Sequence, residues 1–278
     1  MPGRKRTESG RGRPGEGGGT ATRSRKGKRS RRAKAPRRGS RPRAPGRSSK
    51  PKARPSGSPT RRAPRAPAAA ATERIGEIIL RLERRFPEAK CSLDHQNPLE
   101  LLVATILSAQ CTDARVNLVT RDLFQKYRSA GDYAAANPAV FEQEIRSTGF
   151  FRNKTKSVIG MAQELVERFD GRVPDSMEAL TSLPGVGRKT ANVVLGNAFH
   201  RDEGIVVDTH VARIAKLLRL TRQDDPDKIE QDLMSVVPRQ RWTLFPHLLI
   251  HHGRAICVAR KPRCDLCPVA DLCPSARV

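Results

Sequence analysis

The sequence predicts an all-α fold for the last two hundred or so residues, and three observations support this. From residue 73 onward, apolar residues recur at intervals of three and four, the period of a helix with one buried face. Asn-Pro pairs stand where helices would begin, and glycines stand where they would end. Sustained period-two alternation is missing, and residues 205–207 form the only short strand-like run.

The first 72 residues differ from the rest in composition. They hold 24 of the 54 lysines and arginines but only Glu8 and Glu16 as acids, a formal charge of +22. They contain almost no large apolar side chains, so they cannot offset their ordering entropy by burial, and we predict a disordered basic tail. Such a polycation is expected to bind nucleic acid through phosphates. A solubilising extension and an organelle transit peptide are the alternatives, although dense Pro and Gly argue against a transit helix.

The remaining chain, residues 73–278, has room for one domain or two. No Gly/Ser linker interrupts it, so two lobes would share a close interface. No apolar run suits a secretion signal or a bilayer span, so we expect a cytoplasmic protein without membrane contact and with reduced thiols. We also expect a monomer that is associated with the nucleoid.

The first helix is predicted to begin at Thr72, which can cap it. Its apolar face follows helical spacing and consists of Ile75, Ile78, Ile79, Leu82 and Phe86. Asn97 and Pro98 open the next helix, with Glu100 as a capping-box residue. Residues 101–109 are apolar on nearly all sides, which predicts a buried helix.

Later helix boundaries follow from the same signals. Asn137 and Pro138 open another helix, and an amphipathic helix is predicted from Asn153 to a terminating Gly171. A helical run from 188 to 199 comes next. Asp208 is a candidate N-cap for an apolar helix over residues 211–218.

Residues 183–191, with the sequence LPGVGRKTA, place two glycines around one apolar residue just before a helical run. Glycines permit a tight turn whose N–H groups point outward at a helix start, which suits a DNA phosphate, although an ordinary helix–turn–helix connection is the alternative. Lys189 lies two residues after this turn. The positive end of a helix disfavours a cation, so the position suits an uncharged, nucleophilic amine, or else Lys189 is a solvated surface lysine.

Four cysteines near the C-terminus form a C-x6-C-x2-C-x5-C array: Cys257, Cys264, Cys267 and Cys273. Zinc sites usually show two short cysteine pairs, and this array contains one, whereas a cubane iron–sulfur cluster needs one thiolate per iron. Spacing alone leaves iron–sulfur and zinc level and disfavours disulfides in a reducing compartment. Cys91 and Cys111 lie outside the array and are expected to be small buried hydrophobes.

Together, the nine-residue segment and the cysteine array resemble the endonuclease III family of DNA glycosylase/AP lyases, the iron–sulfur branch of the helix-hairpin-helix superfamily. The resemblance implies a [4Fe–4S] cluster on the four cysteines. It also implies that Lys189 attacks C1′ and forms a Schiff base. Asp208 would assist departure of the base, deprotonation of the lysine or stabilisation of the sugar cation. His210, nearby, is expected to be buried and hydrogen-bonded rather than an acid–base group.

The resemblance also implies a two-lobed fold and a DNA-binding surface. A helical-barrel lobe would span 92–181, and the second lobe, with the cluster, would combine 73–91 and 182–278. Gln110 would fill the hole left by a flipped base, and Phe150 would wedge between bases, unless Phe150 and Phe151 both belong to the core. Further DNA contacts are expected from the hairpin and from a basic loop inside the array, namely Leu183, Gly185, Val186, Gly187, Arg260, Lys261 and Arg263; the loop residues could also be merely solvated.

The function implied is excision of oxidised pyrimidines from duplex DNA, followed by β-elimination at the abasic site. One alternative is a mismatch glycosylase without lyase activity, which Lys189 argues against. A pyrimidine-dimer glycosylase on a similar scaffold is another. A non-catalytic DNA-binding protein would need neither Lys189 nor Asp208.

Overall fold

The computed structural model describes residues 68–277, and their side chains from residue 73 onward. These residues form α-helices and no β-strand, which confirms the all-α prediction for this part of the chain. Of the tail predicted for residues 1–72, residues 1–67 lie outside the described residues. The α-helices, in chain order, are α1 (Ala68–Arg85), α2 (Pro98–Leu107), α3 (Asp113–Lys126), α4 (Ala130–Ala134), α5 (Pro138–Glu144), α6 (Phe151–Phe169), α7 (Met177–Thr181), α8 (Arg188–Ala198), α9 (Thr209–Leu217), α10 (Pro226–Met234) and α11 (Leu244–Ala255).

Short 3₁₀ helices lie at Arg146–Thr148, Arg239–Arg241 and Cys264–Leu266. Within the described residues, none of these segments combines the length and apolarity that crossing a bilayer requires.

The predicted start of the first helix was wrong. Helix α1 begins at Ala68 rather than Thr72, because the alanines of residues 68–71 have the highest intrinsic helix propensity and extend the helix backwards. The cap at Asn97 is confirmed, since its side chain accepts a hydrogen bond from the Glu100 N–H at 3.0 Å. Asn137 likewise caps α5.

Helix α6 begins at Phe151 rather than at the predicted Asn153, because Phe150 adopts a left-handed conformation (φ 48°) and its carbonyl accepts from Asn153 and Lys154. The helix ends as predicted. Gly171, with φ 73°, donates its N–H to the carbonyl of Leu165. Residues 205–207 are buried in part but form no strand.

Apolar side chains form two clusters within one compact unit of the chain. The first cluster draws on residues 93–195 and includes the buried faces of α2, α3, α5, α6 and α8. The second joins α1 to residues 205–269 and includes the faces of α9, α10 and α11. Non-contiguous segments of the chain therefore share the second core.

The hairpin packs with the first cluster, although the prediction assigned it to the second lobe. The first cluster, and not the one that contains the cysteine loop, includes Val186 of the hairpin. It also includes the buried face of α8, formed by Ala191, Val194 and Leu195. The division at residue 182 stays a prediction, and the hairpin and α8 pack with the first cluster.

Candidate functional site

The hairpin between α7 and α8 is a tight turn pressed against α6. The N–H of Val186 donates to the carbonyl of Leu183 at 3.1 Å, and both side chains are buried. Gly185 has φ 76°, and a Cβ there would lie 2.5 Å from the Cβ of Ser157 on α6. Only glycine fits this close approach. Because the side chains of Leu183 and Val186 face inward, the exposed residues Pro184, Gly185 and Gly187 form the outer surface of the turn.

Helix α8 begins directly after this turn without a side-chain cap. Gly187 occupies the N-cap position and makes no side-chain hydrogen bond. The first N–H groups of the helix therefore remain available, and with the helix dipole they form a site for an anion such as a phosphate. This is the geometry that the sequence pattern predicted.

Lys189 is the second residue of α8, and its side chain is exposed. No carboxylate among the described residues forms an ion pair with it, whereas the neighbouring Arg188 is engaged. The amine is thus free to approach a ligand bound at the helix start.

Helix α8 is fixed to α10 by a buried carboxylate that the sequence analysis missed. Glu230, whose side chain is 6% exposed, accepts from Arg188 Nε at 2.8 Å and from Arg188 Nη2 at 3.0 Å. Its Oε1 also accepts from Asn192 Nδ2 at 2.9 Å. A two-pronged guanidinium–carboxylate pair defines orientation as well as distance, so it fixes the helix turn that carries Lys189. Nothing in the local sequence around Glu230 indicated this partner, because the pair joins helices far apart in the chain.

Asp208 is the N-cap of α9, as predicted. Its Oδ1 accepts from the N–H of Val211 at 2.8 Å, and the residue is half-buried. Cap and reactive carboxylate are compatible roles, because one oxygen can accept the cap bond while the other faces outward.

His247, on α11, contacts the end of α8 and lies within electrostatic range of Asp208. Its Nε2 lies 2.9 Å from Oδ1 of Asn197, near the end of α8. Burial, with a smaller contribution from His251, lowers the pKa of His247 to about 4, and the negative charge of Asp208 partly opposes this shift. The His247 ring is therefore neutral at pH 7.

The predicted hydrogen bond of His210 is not found. This residue is half-buried, and its Nδ1 has no partner among the described residues. It packs at Gly253, where a Cβ would lie 2.8 Å from that nitrogen.

The two residues predicted to probe the duplex share an unusual conformation. Gln110 and Phe150 both have left-handed backbones, with φ 53° and 48°. Both side chains are exposed, and Phe150 is 61% exposed, whereas Phe151 packs partly against the first core. Asp170, His200 and Arg219 share this conformation, so it is the exposure of the Gln110 and Phe150 side chains that suits contact with DNA.

All four array cysteines line one cavity of about 360 Å³ beside α9 and α11. None of the four forms a disulfide. Arg213 Nη1 approaches the sulfur of Cys257, and His252 Nε2 approaches that of Cys267, each at 3.7 Å. The Arg213 N–H group donates to the Cys257 sulfur and would stabilise negative charge there in a metal cluster, and the His252 ring would do the same for Cys267 in the tautomer protonated at Nε2.

The donor set fits a cluster better than a single ion. Among the described residues, no three His, Cys, Asp or Glu side chains are arranged to hold one metal ion, although four thiols surround the same space. A cubane spreads its four irons over the corners of a cube and takes one thiolate at each, which suits this wider arrangement. Burial raises the pKa of Cys257 and of Cys267, so a positive centre is needed to keep them as thiolates.

The basic loop inside the array is exposed, as predicted. Arg260 and Lys261 have no ion-pair partner among the described residues. Arg263 differs, because its guanidinium donates to the carbonyl of Ala255 and its N–H to that of Ile256. Arg263 therefore also braces the loop against the end of α11.

Comparison with known proteins adds to this geometry. Residues 103–239 match the family model described as "HhH-GPD superfamily base excision DNA repair protein", and residues 257–273 match "Iron-sulfur binding domain of endonuclease III". The endonuclease III of Synechocystis sp. is 54% identical over 209 residues, which cover 75% of this chain and 95% of that protein.

Two solved structures are similar to the chain, each with a TM-score of 0.69 and 44% identity. One is described as "Structure of a non-covalent Endonuclease III-DNA Complex", and the match covers 73% of this chain and 95% of the chain in that structure. The other is described as "Structure of a Trapped Endonuclease III-DNA Covalent Intermediate: Estranged-Adenine Complex", and the match covers 73% of this chain and 96% of the chain in that structure.

Proposed function

The chain belongs to the endonuclease III family, and from that premise we propose that Lys189 and Asp208 carry out its reaction. It is a bifunctional DNA glycosylase and AP lyase of base excision repair, which excises oxidised pyrimidines from duplex DNA and cleaves the abasic site through a lysine Schiff base. It binds a [4Fe–4S] cluster. The observation that supports the residue assignment most is the exposed, unpaired amine of Lys189 at an uncapped helix start behind the glycine turn.

In the proposed first step, the lone pair of the Lys189 amine forms a bond to C1′ of the flipped nucleotide. The glycosidic bond breaks, and its electron pair leaves with the base, which takes up a proton. Asp208 stabilises the positive charge that develops on the sugar and accepts the proton that the lysine nitrogen releases. Opening of the sugar ring then gives the Schiff base.

In the second step, loss of a proton from C2′ expels the 3′-phosphate and completes β-elimination. The protonated Schiff base withdraws electrons and makes that proton acidic. Water then releases Lys189 and the cleaved strand. No metal is needed for either step.

Cys257, Cys264, Cys267 and Cys273 would hold the cluster. When bound, it supplies a structural brace rather than a reactive centre, because four thiolate ligands leave no open coordination position. The loop between the first two ligands then presents Arg260 and Lys261 to the DNA backbone, with Arg263 in a bracing as well as a contacting role.

The remaining DNA contacts are also part of the proposal. Gly185 and Gly187 contribute backbone N–H groups to a phosphate, while Leu183 and Val186 shape the turn from within the core. The exposed Gln110 and Phe150 enter the duplex at the damaged pair. We further propose that the enzyme acts as a monomer on chromosomal DNA, and that the basic N-terminal segment adds affinity without selecting a lesion.

Replacement of Asp208 tests this assignment, because the two roles of its carboxylate can be separated. Asp208→Asn keeps a good N-cap and loses the negative charge, so we expect unchanged thermal stability and excision slowed about 100-fold or more. Asp208→Ala should in addition lose about 1 kcal/mol of stability. Wild-type excision by Asp208→Asn, measured under single-turnover conditions on a duplex with an oxidised pyrimidine, would remove Asp208 from the mechanism.

A further inference from the structure

One lysine of the described chain is buried in the first turn of α6. Lys154 is 4% exposed. Its Nζ donates one hydrogen bond to the carbonyl of Leu107 and one to the carbonyl of Thr148, each at 2.8 Å. A buried lysine is uncommon, and a buried ammonium is costly unless it is well hydrogen-bonded.

No carboxylate among the described residues balances this charge, because the ion pairs there do not include Lys154. Its acceptors belong instead to two helix ends. Leu107 is the last residue of α2, and Thr148 is the last residue of the 3₁₀ helix Arg146–Thr148. Carbonyls at helix C-termini lack intrahelical partners and carry partial negative charge, so one ammonium satisfies both ends. Burial lowers the pKa of Lys154, in keeping with its enclosure.

The two carbonyls stand immediately before the two loops that are proposed to probe the duplex. Leu107 precedes the loop that carries Gln110, and Thr148 precedes Gly149 and Phe150. Gly149 has φ 72°, and both probing residues are left-handed. These loops come from distant parts of the sequence, and the hydrogen bonds of Lys154 tie their starting points to a single atom.

The same helix also sets the position of the hairpin. Ser157, one turn further along α6, is the residue against which Gly185 packs. Lys154 and Ser157 therefore lie on one side of α6, at the spacing of neighbours on a helix face. One rigid helix thus relates both probing loops to the turn that binds phosphate.

We propose that Lys154 is a positioning residue that sets the separation of Gln110 and Phe150, so that both enter the DNA at one damaged pair. This inference rests on the proposed function of those two residues. A displacement of about 1 Å at a positioned group can cost up to about 100-fold in rate. Removal of Lys154 leaves two buried carbonyls unpaired and frees both loop anchors to move.

The test uses the full-length, cluster-loaded protein and four variants: Lys154→Met, Lys154→Arg, Gln110→Ala and Phe150→Ala. We would measure single-turnover excision on a duplex with an oxidised pyrimidine. A duplex with 2-aminopurine opposite a stable abasic-site analogue would report insertion of the probes through the fluorescence of the unstacked base. Thermal melting followed by Trp242 and absorbance of the cluster would report folding.

We expect Lys154→Met to slow excision between about tenfold and 100-fold and to reduce the 2-aminopurine signal. Lys154→Arg, which keeps the charge and the donors, should restore most of both. Combined with Gln110→Ala or with Phe150→Ala, Lys154→Met should slow excision by much less than the product of the single effects, since residues that act together are not additive. If Lys154→Met does not fold, Lys154→Gln takes its place, because an amide can still donate to one carbonyl.

Two results would overturn the inference separately from the assignment of the site. Suppose that Gln110→Ala and Phe150→Ala slow excision, and that each double variant with Lys154→Met shows the product of the two single rate reductions. The probing roles then stand and the positioning role fails. If Lys154→Met lowers the melting temperature and leaves excision and 2-aminopurine fluorescence unchanged, Lys154 only stabilises the core. If Gln110→Ala and Phe150→Ala are themselves silent, the probing roles fail, and the inference fails with them.

Discussion

Removal of the Glu230 charge should destabilise the protein and loosen the helix that carries Lys189. Glu230 is 6% exposed and accepts three hydrogen bonds from Arg188 and Asn192. A hydrogen bond to a charged group contributes about 1.5–3 kcal/mol, but Arg188 is 44% exposed, so water recovers part of the loss. In Glu230→Gln the amide can satisfy one donor and places its own hydrogens against the guanidinium. We expect a loss of about 3 kcal/mol in the free energy of unfolding.

Urea unfolding followed by Trp242 fluorescence measures this loss, and the rate of borohydride trapping reports Lys189. Arg188→Gln should cost as much or more, because it leaves a buried carboxylate uncompensated. The double variant should show a coupling energy of about 2 kcal/mol. Asp122→Asn is a matched control, since Asp122 forms an ion pair with Arg121 in which both side chains are more than two-thirds exposed, and it should change stability by less than about 0.5 kcal/mol. Equal stability of Glu230→Gln and the wild type would refute this account of α8.

Three further predictions address the hairpin, a buried histidine and the tail. Gly185→Ala should lower stability by roughly 1–3 kcal/mol and weaken DNA binding, because φ is 76° and the new Cβ meets Ser157. Gly187→Ala places a Cβ with nothing within 4 Å, so it should cost less, up to about 1 kcal/mol through the poorer N-cap that alanine makes. The pKa of His247 lies near 4 in the folded protein and near 6.5 when unfolded, so the unfolded state binds more protons between these values and stability should fall as pH drops through that window. His247→Gln should remove about 3 kcal/mol of this pH dependence, and identical pH profiles of melting temperature would contradict the buried neutral ring. Deletion of residues 1–67 should flatten the dependence of DNA affinity on salt and leave lesion preference intact, and an unchanged slope would exclude a role in phosphate binding.

Local signals in the sequence predicted the helices well where a cap or a breaker defines an end. Asn97, Asn137 and Asp208 each cap the helix predicted for them, since a cap depends only on residues within one turn. The start of α1 was misplaced because two local signals competed, and the propensity of the alanine run outweighed the Thr72 cap.

These local signals could not predict contacts between segments that are distant in the sequence. Lys154 has the sequence surroundings of a surface lysine, and only the fold shows that it bonds to Leu107 and Thr148. Glu230 similarly lies in an acidic, polar stretch, and its partner Arg188 is 42 residues away. The hairpin and the cysteine array were recognisable because their chemistry requires short, fixed spacing, whereas the parts that hold them in place can come from anywhere in the chain.

The central claim is that Lys189 is the nucleophile, and borohydride trapping tests it most directly. Borohydride reduces a Schiff base to a stable amine, so wild-type protein reacting with an oxidised-pyrimidine duplex should give a covalent adduct whose nucleotide fragment maps to Lys189 by peptide mass spectrometry. Lys189→Gln should give neither adduct nor strand cleavage while it still binds DNA, because phosphate contacts come mainly from backbone N–H groups and other basic residues. An adduct that forms at the normal rate with Lys189→Gln, or one that maps to another amine, would contradict the mechanism.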